Sequence, residues 1–411
     1  MQRLTDASHW LYREADFMEQ LTKLWQKPSR LVIGMMSGTS ADGVDAALCR
    51  IHGSGLSTRV ELVSFLYVPF EKHVRERILA LAGGSEGGSH ELLMLSQLLG
   101  VLYKDACLAL CEKAGLAPSD IDLVGTHGQT LWHVPVAEDY LGYSLRGTLQ
   151  MGDPSYINEA LGCPVISDFR VRDMAAGGLG APLVPYSEFL LYRSEKYNVG
   201  LQNIGGIGNL TVLPKGGQLT DTFAFDTGPG NMVMDALVSR MTGGQQRWDE
   251  GGRLAAQGKV SQPLLDFLLL DPYLKRKAPK TTGREVYGEA YVNALVRKAE
   301  ELGISELDML ATATRFTAEC IRIAADETSR IRPDCLIIGG GGAQNATLMQ
   351  MISDCLPGVR VMRNEELGFD GDAKEAVAFA ILANEYIFGS CGNVTSATNA
   401  AHPVVLGKMS L

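Results

Sequence analysis

A chain of 411 residues, 46% hydrophobic and 20% charged, has apolar material for two large domains or for one large domain with an appendage. Its formal net charge of -10 excludes a nucleic-acid footprint, because phosphate backbones are gripped by clustered lysine and arginine, and it favours small-molecule chemistry. The eight cysteines at 49, 107, 111, 163, 320, 335, 355 and 391 contain no Cys-x-x-Cys and no metal-ligand grouping with histidine, so they are expected as reduced core thiols.

Residues 1–30 lack the uninterrupted apolar stretch of a signal peptide, and no run elsewhere approaches the roughly 18 apolar residues of a membrane span. A cytoplasmic protein is therefore expected, without membrane or nucleic-acid partners. Trp10, Leu11, Phe17, Met18, Leu21 and Leu24 recur at helical spacing, which predicts an N-terminal helical extension that docks on the domain or on a partner.

From residue 31 the pattern becomes strand-like. "LVIGMMSG", "DGVDAALCRI" and "TRVELVSFLYVPF" predict a three-stranded meander, its first two strands joined by a Gly/Ser/Thr-rich turn. Helices follow at "EKHVRERILALAG" and "SHELLMLSQLLGVLYKDACLALCEKAG", the second closing on Gly115 as a C-cap. A buried strand "IDLVGTHGQTLWH", a helix "PSYINEALG" and a short strand "PVISDF" complete the first unit. The second unit repeats the opening device: "YNVGLQNIGGIGNLTVLP" reads as strand, glycine turn, strand, and "TDTFAFDTGPG" as a third strand leading to a helix near Asn231. Helices dominate from about 252 to 330, and "DCLIIGGGGAQNATLMQMI" supplies a buried strand, four glycines and a helix start. The helix "AKEAVAFAILANEYIFG" is placed to return to the first unit. No Pro/Ser-rich linker separates the units, so they are expected to share a cleft.

Three glycine-rich turns each follow an apolar strand: Gly38, Thr39 and Ser40 with Asp42 and Gly43; Gly205 and Gly206 with Gly208 and Asn209; and Gly339 to Gly342. Without a Cβ, backbone N–H groups can approach and point at an anion, and Ser37, Thr39 and Ser40 add hydroxyl donors. Any one such turn is as readily a hairpin or bulge. Their recurrence at corresponding places in two similar units favours phosphate binding. A Walker A motif and a strand-turn-helix Gly-x-Gly-x-x-Gly are both absent, so the P-loop and Rossmann routes lack their fingerprints.

Asp226 precedes Gly228, Pro229 and Gly230 on what reads as a loop between strand and helix. The competing role is a helix cap, for which Asn231 is better placed. Asp168 and Asp173 flank "FRVR", where they are set to pair with Arg170 and Arg172. Asp42 and Asp45 lie on the first turn, and a carboxylate beside phosphates requires a cation such as Mg²⁺ between them; Asp45 equally suits an outward strand position.

The motifs "GMMSGTSADGVD" (34–45), "THGQTLWH" (126–133), "LQMGD" (149–153), "DFRVRDMAAGGLGAPLVP" (168–185), "NIGGIGNL" (203–210), "FDTGPGNMVMDA" (225–236), "PKTTGRE" (279–285) and "GGGGAQN" (339–345) occur in that order. On these the sequence resembles the anhydro-N-acetylmuramic acid kinases, within the actin, sugar-kinase and Hsp70 superfamily, from about residue 31 onward. The resemblance implies an α/β, two-lobed actin-like (ribonuclease H-like) fold, with a mixed sheet flanked by helices in each lobe and a central cleft. Lobe I is expected over 31–183 and 385–411, and lobe II over 184–384.

The implied activity uses ATP and Mg²⁺ on 1,6-anhydro-N-acetylmuramic acid, a cell-wall recycling sugar. Water opens the 1,6-anhydro bridge while O6 is phosphorylated, giving N-acetylmuramic acid 6-phosphate. By the same resemblance Asp226 is the catalytic base. Gly38, Thr39, Ser40, Ala41, Asp42, Gly43, Val44, Asp45, Gly205, Gly206, Asn209, Gly340, Gly341, Gly342 and Asn345 bind ATP, and His127, Gln129, Thr130 and Glu375 meet the sugar. His127 has the alternative of a satisfied core histidine, and Glu375 that of a solvated face. Lys280 and Arg284 are placed to serve anions. Direct metal ligands and oligomeric state are not fixed by the sequence, a homodimer being the association left open. Ala41 and Leu179 stand where the family commonly has leucine and glutamine, and Leu179 removes a polar group. Two other accounts compete: a carbohydrate kinase of another specificity, and a nucleotide-driven clamp without sugar chemistry.

Overall fold

The computed structural model describes residues 18–19, 21–84, 87–278, 280–367, 371 and 373–411, the side chains of 285 and 367 excepted. Trp10, Leu11 and Phe17 of the expected N-terminal helix lie outside them. Residues 21–26 are helical, with Leu21 and Leu24 buried and the Trp25 indole N–H donating to the Ile387 carbonyl at 2.7 Å. This part of the extension packs on its own chain.

Two compact units form, one from residues up to Leu191 together with those from Asp372 on, the other from Tyr192 to Gly371. In the first, β1 (Ser29–Ser37), β2 (Gly43–His52) and β3 (Arg59–Pro69) make the expected antiparallel meander. Helices α1 (Lys72–Ala82) and α2 (Ser89–Ala114) follow, the latter closing on Gly115 in the left-handed conformation. Next come β4 (Leu123–Tyr140), β5 (Tyr143–Met151), α3 (Ser155–Leu161), β6 (Val165–Ser167), α4 (Phe169–Ala175) and α5 (Val184–Tyr192). β1 is buried along nearly its whole length, which is why it reads as an unbroken apolar run, whereas β3 largely alternates in exposure as an edge strand does.

The second unit opens with its own meander, β7 (Val199–Ile204), β8 (Ile207–Leu213) and β9 (Phe223–Pro229). It continues through α6 (Met232–Met241), α7 (Gln262–Leu268), α8 (Glu289–Glu301), α9 (Glu306–Ile323), β10 (Cys335–Gly339), α10 (Ala346–Cys355) and β11 (Arg360–Arg363). The chain then re-enters the first unit as α11 (Lys374–Ile387) and ends on β12 (Lys408–Ser410).

The two sheets share a plan. In the first the path is β3-β2-β1-β4-β6-β12, with β5 on β4; in the second it is β9-β8-β7-β10-β11. Each is an antiparallel meander whose first strand is extended by parallel strands, β1 to β4 to β6 and β7 to β10 to β11. Each carries helices over an apolar core. Ile33, Val44 and Leu48 pack with Tyr103, Cys107 and Leu110 of α2, and Leu210, Phe225 and Ile338 pack with Leu237 of α6 and Phe316 of α9. This is the expected α/β plan of mixed sheets flanked by helices.

The expected boundaries at 183/184 and 384/385 move to 191/192 and 371/372. The second shift follows from α11, which packs on β1, β2 and β4. A Cβ on Gly34 of β1 would stand 1.9 Å from the Ala376 carbonyl, and one on Gly125 of β4 2.3 Å from that of Phe379. Glycine on the strands and alanine on the helix bring backbone onto backbone, so α11 belongs to the first unit. By length and composition alone α2 is apolar enough to cross a membrane, but Lys104 and Asp105 interrupt its apolar run and one face (Leu99, Tyr103, Cys107, Leu110) is buried against the sheet.

Candidate active site

The first glycine turn joins β1 to β2 and is braced from three sides. The Ala41 N–H donates to the Gly38 carbonyl at 3.1 Å, closing the turn. Gln129 on β4 donates its Nε2 to the same carbonyl at 3.1 Å, and its Oε1 lies 2.6 Å from the Ser37 hydroxyl, itself 2.8 Å from the Gly43 carbonyl. Arg75 of α1 holds the outer rim through the Ser40 carbonyl (3.2 Å) and the Asp42 carboxylate (2.8 Å). Thr39 and Ser40 are left exposed. Gly38, Ser40, Asp42, Gly43 and Asp45 line a cavity of about 440 Å³ together with Phe65, Tyr67 and Glu375. Ala41 and Val44 are buried beneath it. Gln129 is buried and spent on the turn, while the Thr130 hydroxyl accepts from Gln150 Nε2 at 3.1 Å.

His127 is buried on β4 with both ring nitrogens engaged. Arg170 Nε, which can only donate, lies 2.8 Å from His127 Nε2; that nitrogen therefore accepts, and Nδ1–H donates to the Gly128 carbonyl at 2.8 Å. Burial first, and the Arg170 charge second, push the imidazole down to about 3, against the Gly128 hydrogen bond. It is a neutral holder of Arg170, with no nitrogen left for a sugar in this arrangement. Arg170 also donates to the Gly180 carbonyl at 2.7 Å, and the Glu375 carboxylate opposes the downward pull of burial on its guanidinium. Glu375 is exposed at the start of α11.

The pairing expected within "DFRVRD" does not form. Asp168 pairs with Lys408 at 2.9 Å, and the fully buried Asp173 accepts from Asn393, Thr398 and the Gly180 N–H at 2.7–2.9 Å. Asp168 precedes α4 in a left-handed conformation and Asp173 lies within it, and the two take their donors from the C-terminal segment and the 178–180 loop, not from the arginines between them. Leu179 donates its N–H to the Thr398 carbonyl.

In the second unit Gly205 and Gly206 form the two-residue turn between β7 and β8. Their carbonyls accept the N–H groups of Gly230, Asn231 and Met232 at 2.7–3.2 Å, tying the turn to the start of α6, whose N-cap position is Asn231. Asp226 stands within β9 opposite Asn209 and not on a loop as the glycines after it suggested. A bulge at Gly208/Asn209 lets pairing run on past the carboxylate. One of its oxygens, Oδ2, accepts from the Thr281 hydroxyl (2.8 Å) and the Thr282 N–H (2.9 Å). Tyr273 and Lys280 also hold its main chain: Tyr273 O–H donates to the Asp226 carbonyl at 2.8 Å, and the Asp226 N–H donates to that of Lys280 at 3.1 Å. Lys280 is buried, its ammonium 4.6 Å from the Tyr273 ring centre, so it supports this segment and is not presented to an anion. Arg284 opens the short helix after it and is exposed.

After β10, Gly340 takes a φ of +80°, where a side chain would also meet Asn203 Oδ1 and the Ile204 carbonyl. The run Gly341–Gln344 leads to Asn345, whose Oδ1 caps α10 by accepting from the Leu348 N–H at 2.9 Å. Gly341 and Asn345 line a cavity of about 420 Å³ with Asn231, Met234, Asp235, Trp248, Asp249, Glu250, Gly251 and Gln344. Asp235 and the 248–251 stretch were not singled out from sequence; the signal available was a tryptophan, now 61% exposed, amid "GGQQRWDEGG". Among the described residues no three His, Cys, Asp or Glu side chains cluster as metal ligands, and all eight cysteines are free thiols, six of them buried.

Comparison with known proteins agrees with the motifs. The family model described as anhydro-N-acetylmuramic acid kinase matches residues 30–410. A relative of that name from Caldanaerobacter subterraneus subsp. tengcongensis is 51% identical over 396 residues, covering 96% of this chain and 100% of its own. One from Clostridioides difficile (strain 630) is 41% identical over 92% of this chain and 97% of its own, and one from Bacillus cereus (strain Q1) is 42% identical over 92% and 98%. With motifs in family order and a match that spans the described fold, the chain belongs to the anhydro-N-acetylmuramic acid kinase family.

Proposed function

We propose that the chain is an ATP-dependent kinase that hydrolyses the 1,6-anhydro bridge of 1,6-anhydro-N-acetylmuramic acid and phosphorylates O6, yielding N-acetylmuramic acid 6-phosphate and ADP. The observation that carries the reading is the half-tethered carboxylate of Asp226: two donors hold Oδ2, and Oδ1 is assigned to the nucleophilic water. Neutral water is a poor nucleophile, and a positioned carboxylate accepting its proton is worth roughly 10²–10⁴ in rate.

The step balances as follows. Asp226 takes a proton from water, the hydroxide oxygen bonds to C1, and the C1–O6 bond breaks. O6 leaves with the electron pair and attacks the γ-phosphorus, whose bond to the β–γ bridging oxygen breaks to release ADP. The proton on Asp226 then passes to solvent. Positioning and charge stabilisation supply most of the rest, as in other phosphoryl transfers.

Phosphate oxygens are assigned to the Gly38–Gly43 and Gly205–Gly206 turns, and adenosine to the side of Gly340, Gly341, Gly342 and Asn345. Asp42, Asp45 and Glu375 line the first-turn cavity without grouping closely enough to hold a metal by themselves, so magnesium there would take one or two of these carboxylates together with the nucleotide's own phosphate oxygens. Bound there with the nucleotide, the ion would neutralise phosphate charge. Arg170, held by His127, and Glu375 are assigned to the sugar, with Gln129 supporting the phosphate turn. The setting proposed is the cytoplasm. Incubation with ATP, magnesium and the anhydro sugar, followed by mass spectrometry, tests the reading: a product heavier by phosphate plus water supports it. Phosphate without water indicates a kinase of another specificity, and no sugar product indicates a clamp.

A further inference from the structure

The reaction leaves Asp235 unused, although it faces the second-unit cavity from the first turn of α6. Burial alone lifts its carboxyl to about 6. No side-chain hydrogen bond or ion pair among the described residues offsets that cost, which is the condition in which a ligand's donors are most valuable. Asp249 beside it is committed, its two oxygens accepting the N–H groups of Leu254 and Ala255 at 2.8 and 2.9 Å.

The cavity also selects by charge. Asp235, Asp249 and Glu250 repel a polyphosphate, so the portion of a nucleotide admitted is the neutral one, carrying donors for a carboxylate. Exposed Trp248 lines the same cavity as the side-chain-free Gly341, and its indole offers a flat apolar face for a base. Asn231 lines the cavity and donates its N–H to the Gly205 carbonyl at 2.7 Å, so the cavity abuts the glycine turn assigned to phosphates. A nucleotide with its phosphates on that turn and its base against Trp248 presents its ribose between them.

We propose that Asp235 accepts hydrogen bonds from the vicinal 2′- and 3′-hydroxyls of the ATP ribose and sets the preference for ribonucleotides. The inference rests on the ATP-dependent reading above. Calorimetric titration of the full chain with Mg²⁺, in the absence of sugar, compares ATP with 2′,3′-dideoxy-ATP. The wild type is expected to favour ATP by roughly tenfold or more, the scale of charge-assisted hydrogen bonds. Asp235→Ala should weaken ATP by about the same factor while leaving dideoxy-ATP within about twofold, with Asp235→Asn, which keeps an acceptor oxygen, in between. Equal binding of both nucleotides by the wild type, which needs no variant, overturns the proposal, as does an equal loss of both in Asp235→Ala. Failure of the wild type to bind either nucleotide overturns it together with the kinase reading. Selective ATP binding without sugar turnover supports the ribose site and counts only against the sugar reaction.

Discussion

Replacing Thr281 by valine removes one of the two donors to Asp226 Oδ2 and keeps the side chain's volume. A hydrogen bond to a charged group contributes about 1.5–3 kcal/mol, and the exposure of Thr281 places this one at the lower end. At about 1.4 kcal/mol per tenfold, the expected loss in kcat is near tenfold. It should stop there, because the Thr282 N–H still holds the same oxygen at 2.9 Å. Steady-state ADP release with the anhydro sugar measures it, alongside the KM for ATP, which should stay within about twofold because the phosphate turns are untouched. Thr281→Ser restores the hydroxyl and should recover kcat to within about threefold. Wild-type turnover in Thr281→Val, or an equal loss in Thr281→Ser, would refute the claim that this donor orients the base.

Three other substitutions probe the frame. Asp235→Asn should stabilise the ligand-free protein at neutral pH. The folded carboxyl titrates near 6 against an ordinary 3.8, so the native state holds a proton that the unfolded chain has released, and stability falls as pH rises through that window. Discounted for partial exposure, the gain is about 1 kcal/mol, or roughly 2–4 °C in melting temperature at pH 7.5, and it should shrink to about a fifth of that at pH 4. Gln129→Leu unties the Gly38 carbonyl and Ser37 and should raise the KM for ATP by several-fold with little change in the sugar KM; the reverse pattern in kinetics would return Gln129 to the sugar. Gly34→Ala drives a methyl to 1.9 Å from the Ala376 carbonyl and should cost more than about 3 kcal/mol, read as a large drop in melting temperature or loss of soluble protein.

Both meanders and all three glycine turns were legible because apolar runs punctuated by glycine have few other solutions. β5 was not, since "YSLRGTLQM" is mostly exposed and carries no core signal, and neither were the short helices α4 and α5. The domain boundary was misplaced because a strand's glycine and a helix's alanine reveal their contact only in three dimensions, as Gly34 and Ala376 do. At the site, residue type pointed to Asp226, but not to the threonines that hold one of its oxygens. His127 and Gln129 were named as sugar contacts; their buried side chains are instead engaged by Arg170 and the first turn. Asp168 and Asp173 found partners far along the chain, at Lys408, Asn393 and Thr398, which adjacency to Arg170 and Arg172 could not foretell. Asp235 passed unnoticed because its significance is a cavity and a burial cost, neither of which has a sequence signature.

The most direct test of the central claim is turnover in ¹⁸O-labelled water by the wild type and by Asp226→Asn. The account predicts one heavy oxygen at C1 of the sugar phosphate and none in the phosphoryl group, with turnover lost in the variant while ATP binding persists. Label in the phosphoryl group, an unlabelled C1, or undiminished turnover in Asp226→Asn would contradict it.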